Sequence, residues 1–424
     1  VAFIGGFAKK PRFQGGGSSH INCFKITNAL DSVPSDAQVI YAEGFPADKD
    51  LYDDTLAAKA LKAAGKADKV VIFAGLPDSF ESEGYDRSHM RLPDCQNRLI
   101  AEILKVQPNA VIVLHNGSPV EMPWLNDVKG LLEAYLGGQA GGAAVANILY
   151  GKVNPSGKLA ETMPFKLSDN PSYLNFGSGE KVEYREGVFV GYRYYDTKEM
   201  DVAYPFGYGL SYTTFAYSNL NISNGNPTEK DTISVSVDVT NTGDMTGKEV
   251  VQLYVKDCTN SAIRPEKELK GFEKVALDPG ETKTVTMELD KRSFAWYNTD
   301  LHDWFAASGE YKILIGASSR DIRLESKIQL NSSQEIPLHV HKNTTHGELF
   351  RNPKTAETAK KLTASYLSVL NGGEESVSDA ASEAISEEMT LAMTDSMPLR
   401  ALMSFGEFSR EELLDIVEKL NKLI

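Results

Sequence analysis

The hydrophobic period of this chain changes once along its length, and that change sets the fold class. Up to about residue 165, short apolar runs alternate with stretches of helical spacing. Val1–Ile4, Gln38–Tyr41, Lys69–Ala74 and Ala110–His115 read as short buried strands. Tyr52–Gly65 and Cys95–Gln107 read as helices, and another helix is expected after Val120. Such alternation predicts a layered α/β domain over residues 1–165, with a mostly parallel sheet. Its ligands belong at the carboxyl ends of the strands, in the loops.

From about residue 213 to 330 the period becomes two. Thr232-Ile-Ser-Val-Ser-Val-Asp-Val239 alternates strictly and ends at Asn241-Thr242-Gly243. Val250–Val255, Lys283–Leu289, Tyr311–Ile315 and Ile322–Leu330 repeat the pattern. Several short alternating strands bounded by turn residues predict an all-β sandwich of immunoglobulin or fibronectin type III size. Residues 166–212 are dense in Tyr, Phe, Gly and Pro, which predicts an ordered connector packed on its neighbours rather than a flexible linker. Residues 331–424 read as a mainly helical C-terminal extension. Thr355–Leu370 and Glu411–Ile424 have helical spacing, Asn371–Ser382 reads as a loop, and Ser409 with Glu412 fits a capping box.

Charge and cysteine usage exclude several classes. A formal net charge of −14 repels phosphate backbones and anionic lipid surfaces, so neither nucleic acid nor membrane is an expected partner. No apolar run approaches the ~20 residues of a membrane helix. Three widely spaced cysteines give no disulfide framework and no zinc pattern, and point to a reducing compartment. No metal or other cofactor is expected. The chain opens within an apparent strand and without Met, so it reads as a fragment, and its cysteine usage makes the cytoplasm the expected compartment.

Two loops carry the chemistry. Glu81-Ser-Glu-Gly-Tyr-Asp-Arg87 follows a buried strand and the turn Gly75-Leu-Pro77. Three carboxylates within six residues repel one another, which is expected to raise at least one pKa, as a general acid requires. Arg87 is placed to keep Asp86 ionised. The alternative is a solvated acidic turn. Phe13-Gln-Gly-Gly-Gly-Ser-Ser-His20 also follows a strand. It lacks the Lys-Ser/Thr of a phosphate loop and the glycine spacing of a dinucleotide site. Its hydroxyls suit sugar, or it is a plain strand-to-helix turn. No Gly-x-Ser-x-Gly elbow occurs, because Gly117-Ser-Pro119 lacks the second Gly. His20 and His115 have no His partner at helical spacing and are read as loop or supporting residues.

The order of short motifs resembles the C-terminal part of family 3 glycoside hydrolases, the β-glucosidase and β-xylosidase group. The matching stretches are Gln14-Gly-Gly-Gly-Ser-Ser19, Glu83-Gly-Tyr-Asp-Arg87, His115-Asn-Gly-Ser-Pro119 and Gly138-Gln-Ala-Gly-Gly142. Gly151-Lys-Val-Asn-Pro-Ser-Gly157, Pro205-Phe-Gly-Tyr-Gly-Leu-Ser-Tyr212 and Lys267-Glu-Leu-Lys-Gly-Phe272 complete the series, over about residues 1–320. The resemblance implies a retaining exo-β-glucosidase. Glu83 is then the acid/base, with Glu81 as runner-up; Gly17, Ser18 and Ser19 contact substrate, and Asp86 and Arg87 support the loop. It also implies a partner, the N-terminal (β/α) barrel that bears the Asp nucleophile, and a β-glucoside or oligosaccharide substrate. This chain alone is then expected to be inactive. Homo-oligomerisation stays open. Two other readings are a β-xylosidase of the same family and a non-catalytic carbohydrate-binding or scaffolding protein.

Overall fold

The computed structural model describes residues 1–84, 87–177, 179–362, 392, 394–405 and 408–424. The chain divides into two units, Val1–Asn298 with Asp303–Ser333, and Thr299–His302 with Gln334–Ile424.

The first unit begins with a five-stranded parallel sheet. Its strands are β1 (Ala2–Ile4), β2 (Ile40–Ala42), β3 (Val70–Gly75), β4 (Val111–His115) and β5 (Gly130–Glu133), in the order β2-β1-β3-β4-β5. Burial on both faces explains why these strands read as continuous apolar runs. On one face Ile4, Ile72, Leu114 and their neighbours pack on helices α1 (Asp54–Lys66) and α2 (Asp94–Val106). On the other, Phe3, Phe73 and Val113 pack with Val145 of α3 (Gly141–Leu149). Ala57, Ala60 and Ala64 give α1 a small-residue face, and the Asp53 carboxylate caps its first turn by accepting from the amides of Thr55 and Leu56. The helix expected just after Val120 is absent. Pro123 opens a run of turns there, the short strand β5 follows, and the helix begins only at Gly141.

The strand order reverses at β1. The chain passes from β1 outward to β2, then returns to lay β3 on the other side of β1. The loops that leave the carboxyl ends of β1 and β3 therefore flank the crevice where parallel sheets of this order hold ligands. Gly5, directly after β1, makes the turn possible. Its φ is 114°, and a Cβ there would lie 2.1 Å from the Phe73 carbonyl oxygen. Gly5→Ala is expected to destabilise the chain by about 3 kcal/mol. Gly65→Ala, in α1 with open space around it, is expected to stabilise by about 0.5–1 kcal/mol. Thermal melts of the two variants should move in opposite directions, and an unchanged melt for Gly5→Ala would refute the close approach.

The second layer system of this unit is all β. One sheet holds β6 (Phe215–Ile222), β7 (Ile233–Asn241) and β10 (Thr282–Leu289), in the order β10-β7-β6. The other holds β8 (Gly247–Asp257), β9 (Glu268–Leu277), β13 (Gly309–Gly316) and β14 (Ile322–Leu330), in the order β14-β13-β8-β9. Alternate residues of β7, Ile233, Val235, Val237 and Val239, meet Val251, Leu253, Ile313 and Ile315 in one core. A single helical turn, α5 (Lys291–Phe294), and a small hairpin of β11 (Trp296–Asn298) and β12 (Asp303–Phe305) interrupt the strands.

The aromatic segment before β6 is tied to both layer systems. Met163 and Leu159 donate their amides to the Tyr204 and Tyr208 carbonyls. The Gln252 side chain, on β8, donates to Gly207 O, and Tyr192 O–H, on the short helix α4 (Tyr192–Thr197), accepts from Leu269 N. Asp196 pairs with Arg320 and Lys267. The motif Lys267–Phe272 thus anchors the connector to β9.

The second unit has its own small core, with Val340, Leu349, Leu399, Leu402, Leu413 and Leu420. Its helices include α6 (His346–Arg351), α7 (Ala401–Phe405) and α8 (Arg410–Leu423). Ser409 and Glu412 form the expected capping box, and Thr345 with Glu348 forms another. The expected loop Asn371–Ser382 and the second half of the helix Thr355–Leu370 lie outside the described residues.

Candidate active site

Loops at the carboxyl ends of β1, β3 and β4 meet at one rim. Arg12, just before the glycine-rich loop, is buried and reaches across to the loop after β3. Its Nη1 donates to Glu81 Oε2 at 2.6 Å and to Leu76 O at 3.1 Å, its Nη2 to Glu81 O at 2.8 Å, and its Nε to Asp78 Oδ1 at 3.1 Å. From the loop after β4, Gly117 N donates to Glu81 Oε2 at 2.8 Å and Ser118 Oγ to Oε1 at 2.6 Å. Ser118 in turn accepts from Arg87 Nη2 at 2.7 Å, and Arg87 Nη1 donates to Pro119 O. The Glu81 carboxylate is therefore surrounded by donors.

Glu83 lies two residues further on and is solvent-exposed. Its Oε2 accepts from Ser18 N at 2.5 Å, and its own amide donates to Gly16 O. Gly17 makes this approach possible. With φ at 92°, a Cβ on it would stand 2.5 Å from the Glu83 Cβ and Oε2. Gly17, Ser18, Ser19 and Glu83 thus form one exposed surface at the reversal point of the sheet. The Gln14 side chain closes the base of the glycine-rich loop by bonding His20 Nδ1 and both backbone groups of Ile21. Asp86 falls outside the described residues, so no pair with Arg87 is described; the bonds of Arg87 run to Ser118 and Pro119.

The expected mutual repulsion of the acids does not raise Glu81 or Glu83. Burial pushes the Glu81 carboxyl up, but hydrogen bonds from Ser118, Arg12 and Gly117, with the charge of Arg12, bring it below the ordinary range. The Ser18 hydroxyl and amide lower Glu83. Among the described residues the raised carboxyls are two that the sequence did not single out. Loss of solvation lifts Glu133, at the end of β5, to about 8, despite bonds from Tyr135 N and Asn116 Nδ2. Loss of solvation also raises Glu161, which accepts from Tyr135 O–H at 2.9 Å. Tyr135 itself sits at φ 46°, an uncommon conformation for a bulky residue. His115, at the end of β4 between Phe7 and Phe73, is buried and held neutral, with its pKa near 4.

A cleft of about 460 Å³ adjoins the rim, lined among others by Glu81, Arg87, His89, Ser118, Tyr173 and Phe176. Among the described residues no group of three His, Cys, Asp or Glu is placed to hold a metal ion. No described helix is long and apolar enough to cross a membrane. Arg12, Glu133, Tyr135 and Glu161 escaped the sequence reading because they are isolated polar residues in segments with no chemical motif, and Ser118 was read only as part of a motif, not as a partner of Glu81. The one available signal was Arg12, the cation nearest the start of the glycine-rich loop.

Known proteins share this architecture. Residues 1–212 match the glycosyl hydrolase family 3 C-terminal domain, and residues 249–319 match a fibronectin type III-like domain. A thermostable β-glucosidase B of Acetivibrio thermocellus is 49% identical over 100% of this chain and 56% of its own length. An exo-α-(1→6)-L-arabinopyranosidase of Bifidobacterium breve is 43% identical over 86% of this chain and 48% of its own. The crystal structure of a Bifidobacterium adolescentis family 3 β-glucosidase superposes with a TM-score of 0.77 at 43% identity, over 85% of this chain and 53% of that one. The chain spans about half the length of the curated relatives it matches.

Proposed function

We propose a catalytic role for this chain from one premise: it belongs to glycoside hydrolase family 3. In this reading it is the acid/base half of a retaining exo-β-glucosidase, and Glu83 is the acid/base. The observation that carries the reading is the surface where Glu83 faces Gly17 and Ser18 at the reversal point of a parallel sheet. A carboxyl there is accessible to a sugar, and the neighbouring amide and hydroxyl groups suit sugar hydroxyls. Glu81, by contrast, has its oxygens taken up by Arg12, Gly117 and Ser118.

Retention needs two carboxyls about 5–5.5 Å apart. The nucleophile is assigned to an Asp on a (β/α) barrel of the longer protein, because the matched domain is a C-terminal one and the relatives are nearly twice as long. Exposed apolar side chains after the glycine-rich loop and in the aromatic connector support a covering partner. Phe24, Leu174 and Tyr184 are 102%, 86% and 88% exposed. The barrel Asp attacks the anomeric carbon while Glu83 gives its proton to the departing glycosidic oxygen. The resulting Glu83 carboxylate then takes a proton from water as that water displaces the Asp. In the present structure Ser18 keeps Glu83 below the ordinary range. A covering barrel removes water and adds a second carboxylate, and both changes raise Glu83 toward the acid form. Terminal β-D-glucose is the proposed substrate, since a relative that matches the whole chain is named a β-glucosidase.

Trapping tests the division of labour. A 2-deoxy-2-fluoro-β-glucoside with a good leaving group should form a stable glycosyl adduct with the longer protein. Peptide mapping should place that adduct on an Asp outside residues 1–424. An adduct on any residue of this chain would overturn the reading.

A further inference from the structure

Glu81 is too enclosed to serve as the acid, yet it is the most heavily bonded carboxylate of the rim. Its side chain is 20% exposed and that of Arg12 6%. Three loops converge on it. Arg12 arrives from the loop after β1, Gly117 and Ser118 from the loop after β4, and Glu81 itself belongs to the loop after β3. Arg12 also bonds Leu76 O and Glu81 O, so the backbone leading into the acidic turn is held at two points. Gly117 is fitted to this arrangement, since a Cβ there would stand 2.9–3.0 Å from the Glu81 carboxyl atoms. This gives the His115–Pro119 motif a physical reason that a backbone turn alone does not supply.

We propose that Glu81 is a positioning residue: by locking the three loops together through Arg12, Gly117 and Ser118, it fixes where Glu83 presents its carboxyl. The inference rests on the reading of Glu83 as acid/base. One residue separates the two carboxylates, so the backbone that Glu81 anchors is the backbone that carries Glu83. Releasing the anchor leaves Glu83 in the loop but out of register with the glycosidic oxygen. A displacement of about 1 Å can cost on the order of 100-fold in rate. The charge of Glu81 also matters, because without it the buried Arg12 keeps only the largely exposed Asp78 as a counter-charge.

The test uses the longer enzyme with its barrel and compares Glu81→Ala, Glu81→Gln, Gly117→Ala and Glu83→Ala. Turnover is measured on a dinitrophenyl and a phenyl β-glucoside, with and without azide, alongside the melting temperature. Glu81→Ala and Gly117→Ala should lose about 10–100-fold more on the phenyl than on the dinitrophenyl substrate. Azide should give neither of them a glycosyl azide, because the Glu83 carboxylate, though shifted, is still present beside the anomeric carbon and repels an anion. Glu81→Gln should retain more activity than Glu81→Ala, since an amide can accept from Arg12 and donate to Ser118. Gly117→Ala keeps every charge, so it carries the test if Glu81→Ala does not fold. Equal losses on both substrates, or none, would overturn the positioning role. Azide rescue of Glu81→Ala with Glu83→Ala unresponsive would make Glu81 the acid/base and end both readings. If Glu83→Ala shows no leaving-group dependence, the acid/base reading fails by itself, whatever the Glu81 variants do.

Discussion

In the barrel-containing enzyme, Glu83→Ala should slow hydrolysis of a phenyl β-glucoside by roughly 10²–10⁴-fold, the usual contribution of general acid catalysis. A dinitrophenyl glucoside should suffer far less in its first step, because dinitrophenolate departs without a proton. The second step loses its general base with either substrate, so glycosyl-enzyme should accumulate and an initial burst of dinitrophenol should precede a slow steady state. Azide needs no base. It should enter the space that the carboxyl vacates, attack the anomeric carbon, and release a β-glucosyl azide at a restored rate. Glu83 is exposed beside Gly17 and Ser18, and removing its side chain opens space without uncovering a buried ion partner. The melting temperature should therefore hold. A uniform loss on both substrates with no azide product would remove Glu83 from the chemistry.

The parts of this fold that were legible in the sequence are those whose burial repeats along the chain. In Ile233–Asn241 every second residue is buried, and the alternation gives the strand directly. Val70–Gly75 is buried throughout and reads as an apolar run. Phe215–Ile222 and Glu268–Leu277 were not legible. Both lie at sheet edges, and Glu268-Leu-Lys-Gly-Phe-Glu-Lys carries charges because much of the strand faces solvent. The site shows the same division. The glycine-rich and acid-rich loops stood out because each concentrates one chemistry in a few consecutive residues. Their meeting is a property of strand order, which local sequence does not encode. The expected repulsion among the acids failed for the same reason. Arg12, 69 residues from Glu81 in sequence, supplies the compensating charge, and the desolvated carboxyls turn out to be Glu133 and Glu161, from segments with no visible motif.

The central claim is that this chain holds one catalytic carboxyl of a retaining pair and depends on a barrel for the other. Its most direct test is hydrolysis of an aryl β-glucoside by three samples at equal concentration: residues 1–424 alone, the barrel alone, and the two mixed or joined. The account predicts no turnover above buffer from either part and recovered turnover from the pair, lost again when the barrel Asp is changed to Ala. The loss in the separated parts should be the largest of any change considered, because a double displacement without its nucleophile has no first step. Steady hydrolysis by residues 1–424 alone, undiminished after removal of any contaminating glycosidase, would contradict the account and place both carboxyls within this chain.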